Sequence, residues 1–168
     1  LIKPLGRYPS VDSSVAAYTA AKATDGDLRT FALSGAYDAP DGTGDYPYTT
    51  WFEYDVSAGL DALQILTWAG GYTCFVSVYQ DVNPAAPTGT SIWAGNETVP
   101  ADSPNNINYV KKIFVPQMAP DGMEFPIDIE FDETMYAQKI RITLQHLYYS
   151  GIADGAGEHY RSGIRNIV

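Results

Sequence analysis

The sequence predicts an all-β protein, an antiparallel β-sandwich or jelly roll of six to eight strands joined by loops of irregular length. Three observations predict it. Several segments alternate apolar and polar residues with a period of two. The 168 residues include 15 Gly, 11 Pro and 13 Tyr, a mix suited to turns and aromatic strand surfaces. Hydrophobic residues make up 45%, enough for one core, while charged residues reach only 18%.

The elements follow in order. Residues 1–12, "LIKPLGRYPSVD", carry two prolines and a glycine and read as an extended N-terminal arm, with residues 13–168 as one domain free of internal repeats. The Ala-rich stretch 13–23 supports a short helical turn at most. "YTTWFEYDV" (48–56) alternates and is rich in aromatics and threonine, as strands are. "LDALQILTW" (60–68) and "YTCFVSVYQ" (72–80) read as two strands joined by a turn at Gly70 and Gly71. Residues 81–108 read as loop. "YVKKIFV" (109–115) and "EFPIDIEF" (124–131) are further strands; in the second, Phe125, Ile127, Ile129 and Phe131 share one face. In "KIRITLQHL" (139–147), Ile140, Ile142 and Leu144 face the core, and Lys139, Arg141, Thr143 and Gln145 are expected to face water. "GIRNIV" (163–168) is a short final strand.

Composition narrows the function. The net charge of −10, with Lys and Arg scattered, argues against nucleic acid and against an anionic membrane as partners. No apolar run approaches the ~20 residues that span a bilayer, and no segment reads as a signal peptide. Cys74 is the single cysteine, so no internal disulfide forms; it reads as a buried, inert thiol. The two histidines and the absence of HExxH, GxSxG and P-loop patterns predict no enzyme. "NET" at Asn96–Thr98 fits an N-glycosylation sequon and leans toward an extracellular chain, secreted or on a cell surface.

Three clusters carry candidate chemistry. "AKATDGDLRT" (21–30) packs Asp25, Gly26, Asp27 and Thr30 together, which suits either an Asx-turn or a set of oxygens around a hard cation. "YDAPDGTGDYPY" (37–48) sets Tyr37, Tyr46 and Tyr48 among three aspartates, a mixture suited to a sugar or to a protein contact. "YYSGIADGAGEHYR" (148–161) places His159 and Arg161 beside Glu158 and Tyr160, all able to bond hydroxyls. Trp93, in "TSIWAGNET", either stacks on a sugar or packs.

The order "AKATDGDLRT", "WFEYDV", "MYAQKIRITL", "GIRNIV" resembles the discoidin-like family, also called F5/8 type C or galactose-binding-like, across roughly residues 13–168. That resemblance implies an eight-stranded jelly roll, with Trp51 in the core, and similarity to carbohydrate-binding modules. It also implies a structural calcium ion held by the carbonyl of Lys22 or Ala23, by Asp25, Asp27 and Thr30, and by Asn166 where the family often has glutamate. An amide oxygen there brings no charge.

Two functional readings follow. One is a non-catalytic extracellular module that binds carbohydrate or glycoprotein, as in cell adhesion. The other is a structural subunit of an extracellular filament or surface layer, self-assembled through the N-terminal arm and loop contacts. The arm either docks on a neighbour's sheet edge or folds back on its own sandwich.

Overall fold

The computed structural model describes residues 2–8, 20–30, 32–33, 49–56, 59–68, 72–83, 85–99, 106–115, 124–145, 149–153, 158–160 and 163–168. The strands run β1 (Ile2–Tyr8), β2 (Ala32–Leu33), β3 (Thr49–Val56), β4 (Leu60–Trp68), β5 (Tyr72–Asp81), β6 (Ser91–Trp93) and β7 (Glu97–Thr98). They continue as β8 (Asn108–Tyr109), β9 (Lys111–Val115), β10 (Glu124–Met135), β11 (Ala137–Gln145), β12 (Tyr149–Ala153), β13 (Glu158–Tyr160) and β14 (Gly163–Ile167). A 3-10 helix, Ala20–Thr24, is the only helical element among the described residues and matches the short turn expected there.

The six-stranded sheet has the order β1-β3-β11-β5-β6, with β9 pairing the other end of β5. The four-stranded sheet has the order β10-β4-β14-β2. Every pairing is antiparallel. The eight strands of the jelly-roll expectation are thus joined by two edge strands, β1 and β6. Small hairpins β7-β8 and β12-β13 complete the described strands.

The core lies between the sheets. Phe52, Tyr54, Val76, Val78, Ile140, Ile142 and Leu144 come from one sheet; Leu63, Ile65, Ile127, Ile129 and Ile164 come from the other. Period-two alternation delivers them, because every second residue of each strand points inward. Cys74 is buried in the same core, and burial pushes its thiol up to about 12, which keeps it inert. Tyr54 keeps its hydroxyl satisfied by donating to the Ala20 carbonyl at 3.2 Å, which ties the 3-10 helix to β3.

The structure corrects four expectations. Residues 60–68 and 72–80 are strands, but β4 and β5 belong to opposite sheets and do not pair with each other; Gly70 and Gly71 lie outside the described residues. The inward faces of both strands supply the core, which requires them to oppose each other rather than pair. Second, the polar face of β11 is not wet: Arg141, Thr143 and Gln145 are 6%, 0% and 7% exposed. Third, Trp51 alternates with Phe52 and Tyr54, so it stands on that second face and not in the core. Fourth, residues 81–108 are not all loop, since β6 and β7 lie within that stretch and β8 begins at its end. The arm, for its part, is extended and folds onto its own sandwich, pairing as β1 with β3.

Strand β10 forms one edge of the four-stranded sheet. Ile127 and Ile129 point inward, while Asp128, Glu130, Asp132 and Glu133 are exposed. At the far end of β5, the Asp81 carboxylate accepts the amides of Asn83, Thr88 and Gly89, which closes the return to β6. Those amides, led by that of Asn83, hold Asp81 below the usual carboxylate range.

Candidate functional site

The second face of the six-stranded sheet carries the candidate site. On β5, Phe75, Ser77 and Tyr79 alternate with the core residues Cys74, Val76 and Val78. Strand β6 pairs Trp93 with Tyr79, and their rings stand 5.1 Å apart with an interplanar angle of 56°. Trp93 also meets two cations from β11. The Arg141 guanidinium lies 5.1 Å and the Lys139 ammonium 5.4 Å from its ring centroid. Lys139 lies 4.6 Å from Tyr79, and Arg141 lies 3.9 Å from Trp51.

Glu53 of β3 anchors both cations. Its Oε2 accepts Arg141 Nε at 2.8 Å and lies 2.7 Å from Nη2, while its Oε1 is 3.5 Å from Lys139 Nζ. Glu53 and Arg141 are both buried. Arg141 Nη1, Ser77 Oγ and Thr143 Oγ1 are also buried there, without a hydrogen-bond partner among the described residues.

Residues 94–99 and 106–109 lie over this face on a small second core of Phe75, Val99, Ile107 and Tyr109, against which Trp93 packs. Phe75 and Tyr109 meet edge to face at 4.9 Å. Tyr109 donates its hydroxyl to the Glu97 carboxylate, which holds the phenol above its usual range. Gly95 makes the close approach possible: its φ is 112°, and a Cβ there would come 1.9 Å from the Tyr109 carbonyl oxygen. Asn108 donates from Nδ2 to the Gly95 carbonyl at 3.1 Å. Asn106 sits at a φ of 32°, a region asparagine tolerates better than most residues.

These elements leave an open groove of about 460 Å³, lined by Tyr79, Ser91, Ile92, Trp93, Asn106, Ile107 and Asn108. Two rings, two amides and a hydroxyl meet there, and among the described residues no carboxylate lines it. A larger groove of about 630 Å³ runs along β4 and β10 past Gln64, Asp128 and Glu130, but it contains no aromatic ring. Chemistry, not size, singles out the first.

Of the sugar candidates from the sequence, Trp93 lines the groove. Tyr37, Tyr46, Tyr48 and Arg161 lie outside the described residues. His159 is placed only as part of β13. Asn96 is exposed in the turn between β6 and β7. Sequence reasoning missed Tyr79, Asn106 and Asn108; the alternation of "YTCFVSVYQ" sets Tyr79 on the face opposite Val78 and held that signal.

The early loop brings oxygens together. The Thr30 hydroxyl oxygen lies 2.8 and 3.0 Å from the two Asp25 carboxylate oxygens, 2.9 Å from the Asp27 carbonyl and 3.4 Å from the Lys22 carbonyl. One hydroxyl proton serves one acceptor, so the remaining close oxygens repel one another unless a cation sits among them. Asp25 Oδ1 also accepts the Asp27 amide at 2.9 Å, completing an Asx-turn. That amide, with the Thr30 hydroxyl, lowers Asp25 below the usual carboxylate range. The Asp27 carboxylate turns away to Arg29, whose guanidinium and amide lower it to about 2. Lys22 Nζ is 3.5 Å from Asp25. Asn166 is half-buried on β14, the strand that packs against the 3-10 helix. Among the described residues, no three His, Cys, Asp or Glu side chains are grouped to hold a metal, so any cation here would need carbonyl and hydroxyl oxygens beside the Asp25 carboxylate.

No family model matches the chain, and no curated protein matches it. Several solved structures are similar. CBM32-3 from a family 31 glycoside hydrolase of Clostridium perfringens is 16% identical, with 99% of this chain and 88% of that chain covered and a TM-score of 0.46. Chitosan-binding module 1 from a chitosanase/glucanase of Paenibacillus sp. is 13% identical, with 96% and 89% covered and a TM-score of 0.45. A fucolectin from striped bass serum is 12% identical, with 99% of this chain and 45% of that chain covered and a TM-score of 0.46. Carbohydrate-binding modules of this kind are galactose-binding-like sandwiches. The likeness is one of fold, and it assigns no residue a role.

Proposed function

We propose that the chain is a non-catalytic, extracellular carbohydrate-binding module whose site is the Trp93 groove. One observation carries the reading: a tilted Trp93–Tyr79 pair opens beside the Asn106 and Asn108 amides and the Ser91 hydroxyl. An aromatic face suits the C–H face of a pyranose, and amides both donate to and accept from its hydroxyls. The groove's volume lies within the range of small-ligand sites. Printed names of the similar structures, two of them sugar- or chitosan-binding modules, agree with the reading but do not carry it.

A glycan array followed by calorimetry on the best ligand tests it. Asn106→Gly keeps the positive φ and removes the amide, so the fold should hold. Affinity should fall about tenfold, the equivalent of one well-made hydrogen bond. Full affinity in this variant, or no glycan bound by the parent chain, would remove the groove from consideration.

We also propose a structural calcium ion held by the Lys22 and Asp27 carbonyls, the Asp25 carboxylate and the Thr30 hydroxyl, with the Asn166 amide as a further oxygen from β14. The donor set is all oxygen, which fits a hard cation. The bound ion would supply charge that offsets the crowded oxygens and would tie the early loop to the last strand. At calcium about a hundredfold above its dissociation constant, linkage gives about 2.7 kcal/mol, a rise of about 5–10 °C in melting temperature. Chelator should reverse the rise, and Asp25→Ala should abolish it. A melting curve indifferent to calcium would leave the Asx-turn as the loop's whole explanation.

The second reading, a structural subunit of an extracellular filament or surface layer, is favoured by a different observation. The arm is a sheet-edge strand, bonded on one side only.

A further inference from the structure

We infer that Asn96 is a glycan acceptor: its side-chain amide carries an N-linked oligosaccharide in the native protein. The inference rests on the extracellular placement proposed above and is independent of what the Trp93 groove binds.

The sequence holds one Asn-x-Ser/Thr triplet, Asn96-Glu97-Thr98, and its middle residue is not proline. Four observations of the fold make that triplet an acceptor. First, Asn96, Glu97 and Thr98 are all exposed, so an enzyme reaches both the amide and the hydroxyl that identifies it. Second, the Asn96 amide makes no hydrogen bond among the described residues. Asn108, by contrast, is committed, since its Nδ2 donates to the Gly95 carbonyl. Third, the other polar groups of the triplet leave that amide alone. The Glu97 carboxylate accepts the Tyr109 hydroxyl, and the Thr98 hydroxyl makes one long bond, 3.4 Å to Asn108 Oδ1. Fourth, Asn96 lies in the turn between β6 and β7, and β7 pairs with β8 alone. The backbone of Glu97 and Thr98 therefore has one edge open to an enzyme. A bulky, hydrated group added at an exposed turn displaces no core contact.

The transfer takes a donor of one chemical class, an oligosaccharide joined through a phosphate to a membrane lipid, and a membrane-bound transferase. A bond forms between Asn96 Nδ2 and the anomeric carbon of the first sugar. The bond from that carbon to the phosphate oxygen breaks, and the lipid phosphate leaves with the electron pair. One amide proton passes to a base of the transferase. Nothing is oxidised or reduced, and the amide stays neutral. Such donors are used on the non-cytoplasmic face of a membrane, so an occupied Asn96 also records export of the chain.

The protein isolated from its own cells is digested, and the peptide spanning Asn96 is sequenced by tandem mass spectrometry with fragmentation that keeps the sugar on its residue. The expected result is a glycan localised to Asn96. Two variants made in the same cells check that the triplet directs it. T98A should lose the glycan, whereas T98S, which keeps the hydroxyl, should retain it. Thr98 is exposed, so both variants should keep the fold. An unmodified Asn96 in the native protein overturns the inference, as does a sugar found on Thr98 in place of Asn96 or a glycan that persists in T98A. None of those results touches the Trp93 groove, which the glycan array tests separately.

Discussion

Replacing Glu53 with alanine should lower the melting temperature by about 10 °C, since stranding one partner of a buried ion pair costs about 3–5 kcal/mol and a domain of this size loses about 2–4 °C per kcal/mol. The cause is what stays behind. Glu53 is the acceptor for Arg141 and the counter-charge for Lys139. Arg141 is 6% exposed and already has one buried nitrogen without a described partner. Without the carboxylate, a guanidinium would stay in the protein with nothing to neutralise it. The double variant Glu53→Met, Arg141→Leu separates the pair's cost from its purpose. Buried ion pairs exchanged for packed apolar groups are often neutral in stability, so this variant should recover most of the lost melting temperature. Trp93 would still lack the Arg141 cation and keep only that of Lys139, and glycan affinity should remain below that of the parent chain. Thermal denaturation and calorimetry on the same three samples decide the matter. A single variant as stable as the parent would mean that water reaches Arg141.

Gly95→Ala should cost about 3 kcal/mol or more, because a side chain is forced into a left-handed backbone and against a carbonyl at once. The new Cβ would meet the Tyr109 oxygen at 1.9 Å, and backbone cannot step aside as a long side chain does. The β7-β8 pairing sits directly on that contact, through Glu97↔Tyr109 and Thr98↔Asn108. Opening it draws Tyr109 away from Phe75 and Asn108 away from the groove. Urea denaturation should show the stability loss, and glycan binding should fall further than in Asn106→Gly. By contrast, Gly26→Ala meets open space, so its cost is the positive φ of 77° alone and its effect should be smaller.

Much of the fold was legible because alternation is a local signal. Residues 124–131 place Phe125, Ile127, Ile129 and Phe131 at every second position, and β10 appears where that pattern puts it. What alternation cannot report is the cover on a strand's second face. Lys139, Arg141, Thr143 and Gln145 read as solvated because they are polar, yet residues 94–99 and 106–109 and a carboxylate from β3 bury much of that face. Both are long-range events. The turn at Gly70 and Gly71 was read as a hairpin for a related reason: adjacency in sequence favours pairing, but two strongly apolar faces favour opposition across a core. Trp93 was recognisable as a site candidate from its residue type. Asn106 and Asn108 were not, since they acquire meaning only when Gly95 lets β7 and β8 pair over the sheet.

The two outer margins of the sandwich differ in chemistry. On one margin lies β1, short, cationic and interrupted. On the other lies β10, whose exposed Asp128, Glu130, Asp132 and Glu133 line a long strand with negative charge. Carboxylates along an edge keep other strands from adding to it. Copies of this chain meeting at random should therefore not add a strand along β10.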